Sequence, residues 1–479
     1  MVEKQGNIMK SLSVSTLMLC FLLFSELIAA YFFRLKGVFI VPAIFFVIVY
    51  LIVIVNKPAV ALVTLFVTNY FIMGFTRYIP DAPLGLVMDF LILLTFVAIF
   101  LHMSGGKIPW KNAANVLTLC SGIWLFYSFL QLFNPLSPSR EAWFYAVRGI
   151  SFHFFTVSVL TAILLDKYKY LKLLINLWAV FTWIAVAKVL MQIYWGFDYA
   201  EQRWLDAGGA STHLIITGIR YFSFFTDAGE FGAAMGQAFV AFVVLALGKG
   251  SARMKVFYLL TGLVGAYGMM ASGTRGAIAV PAIGFLLYLI LSKKTKIFFA
   301  GVVCMIGAYI LLNHTYIGHQ YNMVRRMRTA FDRNDKSYQV RVANQEKLKY
   351  YLADKPFGGG IGSAGDWGLR FSPNTFLAQT PTDSWYVAIW AEQGIIGLIF
   401  YIALMTVIFF KACQIVLFKI KSQLLQNRLS ALIASSAGIM AAAYGNSIVG
   451  QFPVGIIMYM GFAFVFVGQI IDRQMEDHG

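Results

Sequence analysis

Charge is scarce in this chain. Only 12% of its 479 residues are Asp, Glu, Lys or Arg, against 59% hydrophobic ones, which is too little polar surface to coat a water-soluble globule of this size. With a mean hydropathy of +0.74, soluble enzymes and soluble binding modules are excluded and the membrane class remains. Cysteine is scarce as well: Cys20, Cys120, Cys304 and Cys413 lie singly inside apolar runs, without the paired spacing of a disulfide framework or a zinc site. The six histidines, His102, His153, His213, His314, His319 and His478, show no ligand spacing, and no acidic run resembles a metal loop. No metal and no cofactor are therefore expected. Short alternating segments are missing too, which disfavours a barrel and points to helices, whose backbone groups are satisfied within each segment.

What is present is a succession of apolar runs of about 17 to 24 residues, the length a helix needs to cross the hydrocarbon layer. They fall near 12–33, 38–55, 59–75, 84–104, 113–133, 149–165, 173–196, 231–248, 256–273, 277–292, 297–313, 386–410, 430–450 and 454–471. The expectation is an all-α polytopic membrane protein with about fourteen transmembrane helices. The first run is longer than a signal-peptide core and lacks a small-residue cleavage site, so it reads as a retained span. Two hydrophilic segments break the rhythm, one near 197–230 and a larger one near 313–383. The chain thus divides into N-terminal transmembrane helices (1–196), helices with outer-face arginine motifs (197–312), a large loop with short helices (313–383) and C-terminal helices (384–479).

The formal net charge is +17. Nucleic acid is not expected as a partner, because the cations sit in short links between apolar runs and in one hydrophilic segment; anionic lipid head groups and phosphate-bearing substrates fit better. With a cytoplasmic N-terminus, alternate connections carry Lys57, Lys107, Lys111, Lys167, Lys249, Lys293 and Lys419, while the short opposite ones hold Lys36 and scattered arginines. That asymmetry is the positive-inside pattern. It places both hydrophilic segments, with Arg77, Arg140 and Arg148, at the extracytoplasmic face.

Four arginine-centred sites fall at that face: Arg220, Arg275 in a connection with almost no loop, Arg325, Arg326 and Arg328 together, and Arg341. A guanidinium is always charged and its planar fork matches phosphate oxygens, so several converging on one cleft would hold a pyrophosphate; the plainer reading is that each snorkels to lipid phosphate or pairs with an acid. The large loop predicts a helix near Ser337–Leu352 with Ser337 available as its N-cap, and Arg341, Gln345 and Lys349 along one face. Gly358, Gly359, Gly360 and Gly362 follow, a stretch whose backbone can approach a ligand or another helix closely. Asp383 begins the next apolar run, where a carboxylate either caps the helix or acts as a base; Glu392 lies inside that run, where pairing is favoured. Glu26, Asp89 and Lys188 are further ionisable groups within apolar runs, as a carrier would need, yet such groups also pair between helices.

The order Arg220-Tyr-Phe-Ser-Phe, Ser272-Gly-Thr-Arg-Gly-Ala277, Asp335-Lys-Ser-Tyr-Gln-Val-Arg341, Asp354-Lys-Pro-Phe-Gly-Gly-Gly-Ile-Gly362, Thr382-Asp-Ser-Trp and Glu392-Gln-Gly-Ile-Ile-Gly-Leu398 resembles the O-antigen ligase and polymerase superfamily over roughly 220–398. The resemblance implies a multi-spanning, inverting, metal-independent glycosyltransferase fold. It implies an undecaprenyl-pyrophosphate-linked glycan as donor, a glycan acceptor, membrane lipids and a chain-length regulator as partners, and a bacterial inner membrane with the active site facing the periplasm. The family's functional arginines match Arg220 and Arg275, with Arg341 as a further loop match and Arg325 and Arg328 as added pyrophosphate candidates. Ligases of the family carry histidine where this chain has Asp383, so the resemblance favours a polymerase that joins lipid-linked repeat units into O-antigen, capsule or exopolysaccharide, with a ligase or O-oligosaccharyltransferase moving glycan to lipid A core or protein as the alternative; a lipid-linked-glycan flippase or carrier is the reading from another class. Asp383 is the first candidate for the general base and Glu230 the second, since a carboxylate partly desolvated at a membrane rim titrates nearer neutrality.

Overall fold

The structure, a computed structural model, describes residues 37–80, 82–102, 108–215, 218–328 and 336–477. The expected run 12–33 and Cys20, Glu26, Lys36, Lys107, Asp335 and His478 lie outside the described residues. The chain order is α1 (Gly37–Asn56), α2 (Ala59–Phe75), α3 (Gly85–His102), α4 (Val116–Leu130), α5 (Arg140–Val147), α6 (His153–Leu164) and α7 (Tyr168–Tyr194). After them come α8 (Tyr199–Trp204), α9 (Ala210–His213), a hairpin of β1 (Leu214–Ile215) and β2 (Gly218–Ile219), α10 (Ala228–Ala246), α11 (Ala252–Ala271), α12 (Ala279–Leu291) and α13 (Thr295–His314). The remainder is α14 (Asn322–Arg328), α15 (Lys336–Tyr351), α16 (Gly365–Phe371), α17 (Phe376–Gln379), α18 (Trp385–Phe418), α19 (Gln423–Ala442), α20 (Val454–Phe466) and α21 (Gly468–Glu476).

The expected all-helical class holds; the expected count of spans does not follow from the helices. Among the described residues seven are long and apolar enough to cross a membrane, or eight if α20 and α21, bent by 54°, make one span. Four further runs form shorter apolar helices, Val41–Asn56, Ala59–Phe75, Arg275–Leu291 and Phe298–Leu311. The run expected at 430–450 instead ends a helix at Ala442, and its polar first turns, with Gln426, Asn427 and Arg428, lower its hydropathy. The run expected at 149–165 is longer than its apolar core, because α5 and α6 join through a π-turn at Arg148–Phe152.

The described residues form two compact units, one within 37–61 and 93–102 and one within 62–92 and 108–477. In the first, Ile54, Ala61 and Ala98 form a small buried cluster. In the second, α10 is buried on almost every side, as an apolar helix without a polar face must be; α11, α12 and α19 pack around it. Asp89 is bound by Arg148 Nη1 at 2.6 Å and His153 Nε2 at 2.7 Å, and Lys188 by Asp198 at 2.8 Å and Glu201 at 3.0 Å. Pairing of this kind keeps a charge tolerable near lipid, and it gives both residues the structural role.

The segment between α13 and α18 has a small core, in which Leu348 of α15 and Leu352 just after it meet Ala364, Leu377 and Ala391 of α18. Its glycine stretch approaches a helix rather than a cavity. At Gly394 α18 leaves helical geometry (φ 69°, ψ −174°), which strips carbonyls of their helical partners where water is scarce. The glycine turn supplies the replacement: Gly359 N–H donates to Ala391 O at 2.9 Å, Gly360 N–H to Glu392 O at 2.8 Å, and Ile396 N–H to Pro356 O at 3.2 Å. Glu392 Oε1 accepts from Ala364 N–H at 3.4 Å, so this buried carboxylate fastens the same junction. A Cβ on Gly394 would stand 2.0 Å from Pro356 O in a backbone conformation that L-residues avoid. Gly394→Ala is expected to destabilise the protein by about 2 to 5 kcal/mol, the sum of a left-handed residue and an overpacked contact. Thermal unfolding in detergent reads this directly, and an unchanged midpoint would refute it.

Candidate functional site

The turn after α11 gathers three arginines. Ser272 Oγ donates to Met269 O at 2.7 Å and accepts Thr274 N–H at 3.1 Å, which closes the helix end. Gly273 follows with φ 57°, and its carbonyl accepts Arg326 Nε at 2.8 Å. A Cβ there would lie 2.9 Å from Arg326 Nε and 3.5 Å from Arg220 Cγ, so both side chains pass over a residue that only glycine suits. Thr274 Oγ1 donates to Ala228 O at 2.7 Å and accepts Arg220 Nη2 at 3.0 Å. Arg275 itself opens a short 3₁₀ turn, Arg275–Ile278, that leads into α12.

Arg220 is delivered by the hairpin, whose register pairs Leu214 with Ile219. Its own N–H donates to His213 O at 2.9 Å and its Nη1 to Thr212 O at 3.0 Å, while the buried Nε has no hydrogen-bond partner among the described residues. Burial pulls the Arg220 pKa below the usual arginine range; Asp227, the N-cap of α10, opposes this, and Arg275 and Arg341 lower it further. The packing agrees with those last two effects, since Arg220 Cγ crosses Gly273, two residues before Arg275, and Arg341 Nη1 lies against Gly445, which faces Gly276.

His213 braces the hairpin in its neutral form. Its Nε2 accepts Ala228 N–H at 3.1 Å, which leaves Nδ1–H to face Gly209 O at 2.9 Å. Burial lowers its pKa below 6.5; the Gly209 carbonyl opposes this, and Arg220 and Arg77 add to the lowering. A depressed folded value means the unfolded chain takes up the proton first, so this contribution is intact above about pH 6.5 and is lost as pH falls through the folded value. Thermal stability is expected to decline below pH 6.5 with a slope no steeper than about 1.4 kcal/mol per pH unit from this group. His213→Gln should flatten that decline, and an unchanged slope would show that other groups cause it.

Beside this turn lies a cleft of about 50 Å³ lined by Tyr338, Arg341 and Gln345 of α15, by Asp383, and by Tyr444 and Gly445 after α19. Arg341 Nε stands 3.7 Å from Asp383 Oδ2, with the Asp383 side chain 46% exposed. Asp383 does not cap α18: the N-cap is Ser384, whose Oγ donates to Ala443 O at 3.2 Å. A Cβ on Gly445 would be 3.8 Å from both Arg341 Nη1 and Gly276 Cα, and one on Gly276 would be 2.6 Å from Asn446 Nδ2. The cleft and the Arg275 turn are therefore adjoining walls of one site.

The other candidates are placed elsewhere. Glu230 is fully buried in α10, with Oε1 accepting Val454 N–H at 3.3 Å and Oε2 without a partner among the described residues; a group sealed from solvent does not line the cleft, which corrects its place as second base. Arg325 Nη2 donates to Asn322 Oδ1 at 2.5 Å and Arg328 Nη2 to Ile317 O at 2.6 Å, so both turn to their own segment, and their buried neighbour Arg326 reaches the turn instead. Ser337 lies within α15 rather than before it. Arg326 was within reach of sequence reasoning, since three arginines on a short helix point in different directions and one must face the bundle. Asn446 was not: an uncharged residue inside an expected span gives no signal. Among the described residues, no three His, Cys, Asp or Glu side chains form a group that could hold a metal ion.

No curated protein matches this chain. Residues 257–402 match the family described as O-antigen ligase, a stretch that includes Arg275, Arg326, Arg341 and Asp383 and begins after Arg220. The match over residues 257–402 therefore supports the resemblance to the O-antigen ligase and polymerase superfamily that the motifs carry.

Proposed function

We propose that the protein is a glycosyltransferase of the inner membrane that polymerises undecaprenyl-pyrophosphate-linked oligosaccharide repeat units into O-antigen, capsule or exopolysaccharide at the periplasmic face. The family at 257–402 supports ligase- or polymerase-type activity. The observation that supports the reading is the placing of Arg220 and Arg341 at the turn that holds Arg275, beside the half-exposed carboxylate of Asp383.

In this mechanism an acceptor hydroxyl attacks the donor's anomeric carbon from the face opposite the leaving group, and configuration inverts. The new C–O bond forms as the bond to pyrophosphate breaks, and the electron pair leaves on the lipid pyrophosphate. Fixed guanidinium groups stabilise that growing negative charge without reorganising, the arrangement that contributes most where water is excluded. Asp383 takes the hydroxyl proton, and Arg341 orients its carboxylate. Arg326, bound to Gly273 O, positions the turn and does not itself meet the donor.

The purified protein in lipid, given a lipid-linked repeat unit as sole substrate, is expected to yield a ladder of longer lipid-linked products. Product formed only after lipid A core or protein is added would make the enzyme a ligase, and movement across the bilayer without a new bond would make it a carrier. Glycan acceptor and membrane lipids are the partners this reaction requires, and a chain-length regulator is the partner that would set ladder length.

A further inference from the structure

A second cleft lies between α5 and α16, on the side of the large segment that the mechanism leaves unused. It measures about 520 Å³ and is lined by Arg140, Glu141, Phe144, Tyr145, Arg370 and Phe371, within the roughly 300 to 1,000 Å³ typical of small-molecule sites. Behind and along its wall three rings run nearly parallel: Tyr145 stacks with Trp367 at 5.0 Å and 18° and with Phe371 at 5.5 Å and 17°, and of these Tyr145 and Phe371 line the cleft. The Arg370 guanidinium carbon sits 5.5 to 6.0 Å from all three ring centres. The wall is firmly seated, because Gly362 brings the segment so near α5 that a Cβ would lie 2.6 Å from the Ala142 carbonyl.

Its chemistry is mixed in a particular way. Aromatic rings provide apolar surface, Arg140 and Arg370 provide donors, and Glu141 provides an acceptor, all on one opening. A lone phosphate has no use for a layer of rings, and an acyl chain has no use for two guanidinium groups and a carboxylate. A pyranose uses both, with C–H groups on its faces and hydroxyls, each donor and acceptor, around its edge. Ala364 and Leu377, which bracket α16, belong to the same small core as Leu348 of α15, so one body carries this cleft and the helix that presents Arg341.

We propose that the cleft between α5 and α16 is a carbohydrate subsite that holds a sugar ring of the glycan away from the bond being made. The proposal rests on the glycosyl-transfer reading for the identity of its ligand, and it explains why a membrane enzyme keeps rings and opposite charges together on an open surface. A subsite of this kind favours chains of more than one repeat, since a glycan too short to reach it gains nothing from it.

The test is calorimetric binding to the full chain in phosphatidylcholine nanodiscs, with soluble oligosaccharides of one, two and three repeat units released from the producing strain's polymer as probes. The longer fragments are expected to bind. Phe144→Ala and Arg370→Gln should each weaken them about tenfold, the equivalent of about 1.4 kcal/mol and within the range of a lost aromatic contact; Arg275→Ala should leave this binding unchanged. Phe144 is 55% exposed, so its truncation leaves folding intact. Wild-type binding by both variants, absence of fragment binding, or displacement of the fragments when phosphatidylglycerol is added to the nanodiscs would each overturn the proposal, the last by making the cleft a head-group site. Turnover of lipid-linked donor is measured separately, so a chain that binds fragments but makes no ladder refutes the polymerase and keeps the subsite.

Discussion

Arg275→Ala and Arg220→Ala are each expected to lower glycosyl transfer by about 10²- to 10³-fold, the loss seen when one fixed donor is removed from a site of developing negative charge. The loss should fall on kcat, because the charge on the departing pyrophosphate grows only as the anomeric bond breaks. The two arginines differ in what else they do. Arg220 Nη2 is bound to Thr274 Oγ1 and Nη1 to Thr212 O, so Arg220→Lys removes a fork that also ties the hairpin to the turn. Arg275→Lys keeps a cation where one is needed and should recover part of the lost rate. Because Arg220, Arg275 and Arg341 act on one charge, the double variant should fall short of the product of the singles. Rates of lipid-linked product formation by purified variants, with thermal unfolding to confirm folded protein, decide the matter. Retention of more than a tenth of wild-type turnover by both alanine variants would remove pyrophosphate stabilisation from their account.

The legible parts of this protein are those written in hydropathy and in charge. Apolar runs located α1 to α4, α6, α7 and α10 to α13 to within about five residues, because lipid demands long uninterrupted helices; the short helices α5, α8 and α9 fall on no such run. Arg275 stood out because its connection is too short to carry it into water, and the structure holds it in the turn that also binds Arg220 and Arg326. What sequence could not give is how backbone groups are exchanged between distant segments. The break at Gly394 looks like any glycine in an apolar run, and its partner turn, Gly358 to Gly362, reads equally well as a ligand loop; only their pairing shows that each exists for the other. Glu392 and Glu230 were both acids in or near apolar runs, yet one clamps that junction through Ala364 and the other is sealed against Val454. Composition does not separate such cases, because burial and the nearest amide decide them.

Asp383→Asn is the second large effect expected, a fall of about 10²- to 10⁴-fold in turnover, the usual range for removing a positioned general base. The substitution keeps the shape of the side chain, and its oxygen can still face Arg341 Nε, 3.7 Å from Asp383 Oδ2. Folding should therefore be unaffected, and KM for the lipid-linked donor should change little, since the donor's phosphates are held by the arginines. The neighbouring residue supplies the contrast. Ser384 is the N-cap of α18 and donates to Ala443 O, so Ser384→Ala should cost about 1 kcal/mol of stability, the worth of one hydrogen bond, with turnover preserved. Two adjacent side chains at one helix start are thus predicted to separate, one affecting rate and the other affecting stability. Near-normal turnover by Asp383→Asn would move the proton to another acceptor, and the half-exposed carboxylate in the cleft would then serve only to hold Arg341 in place.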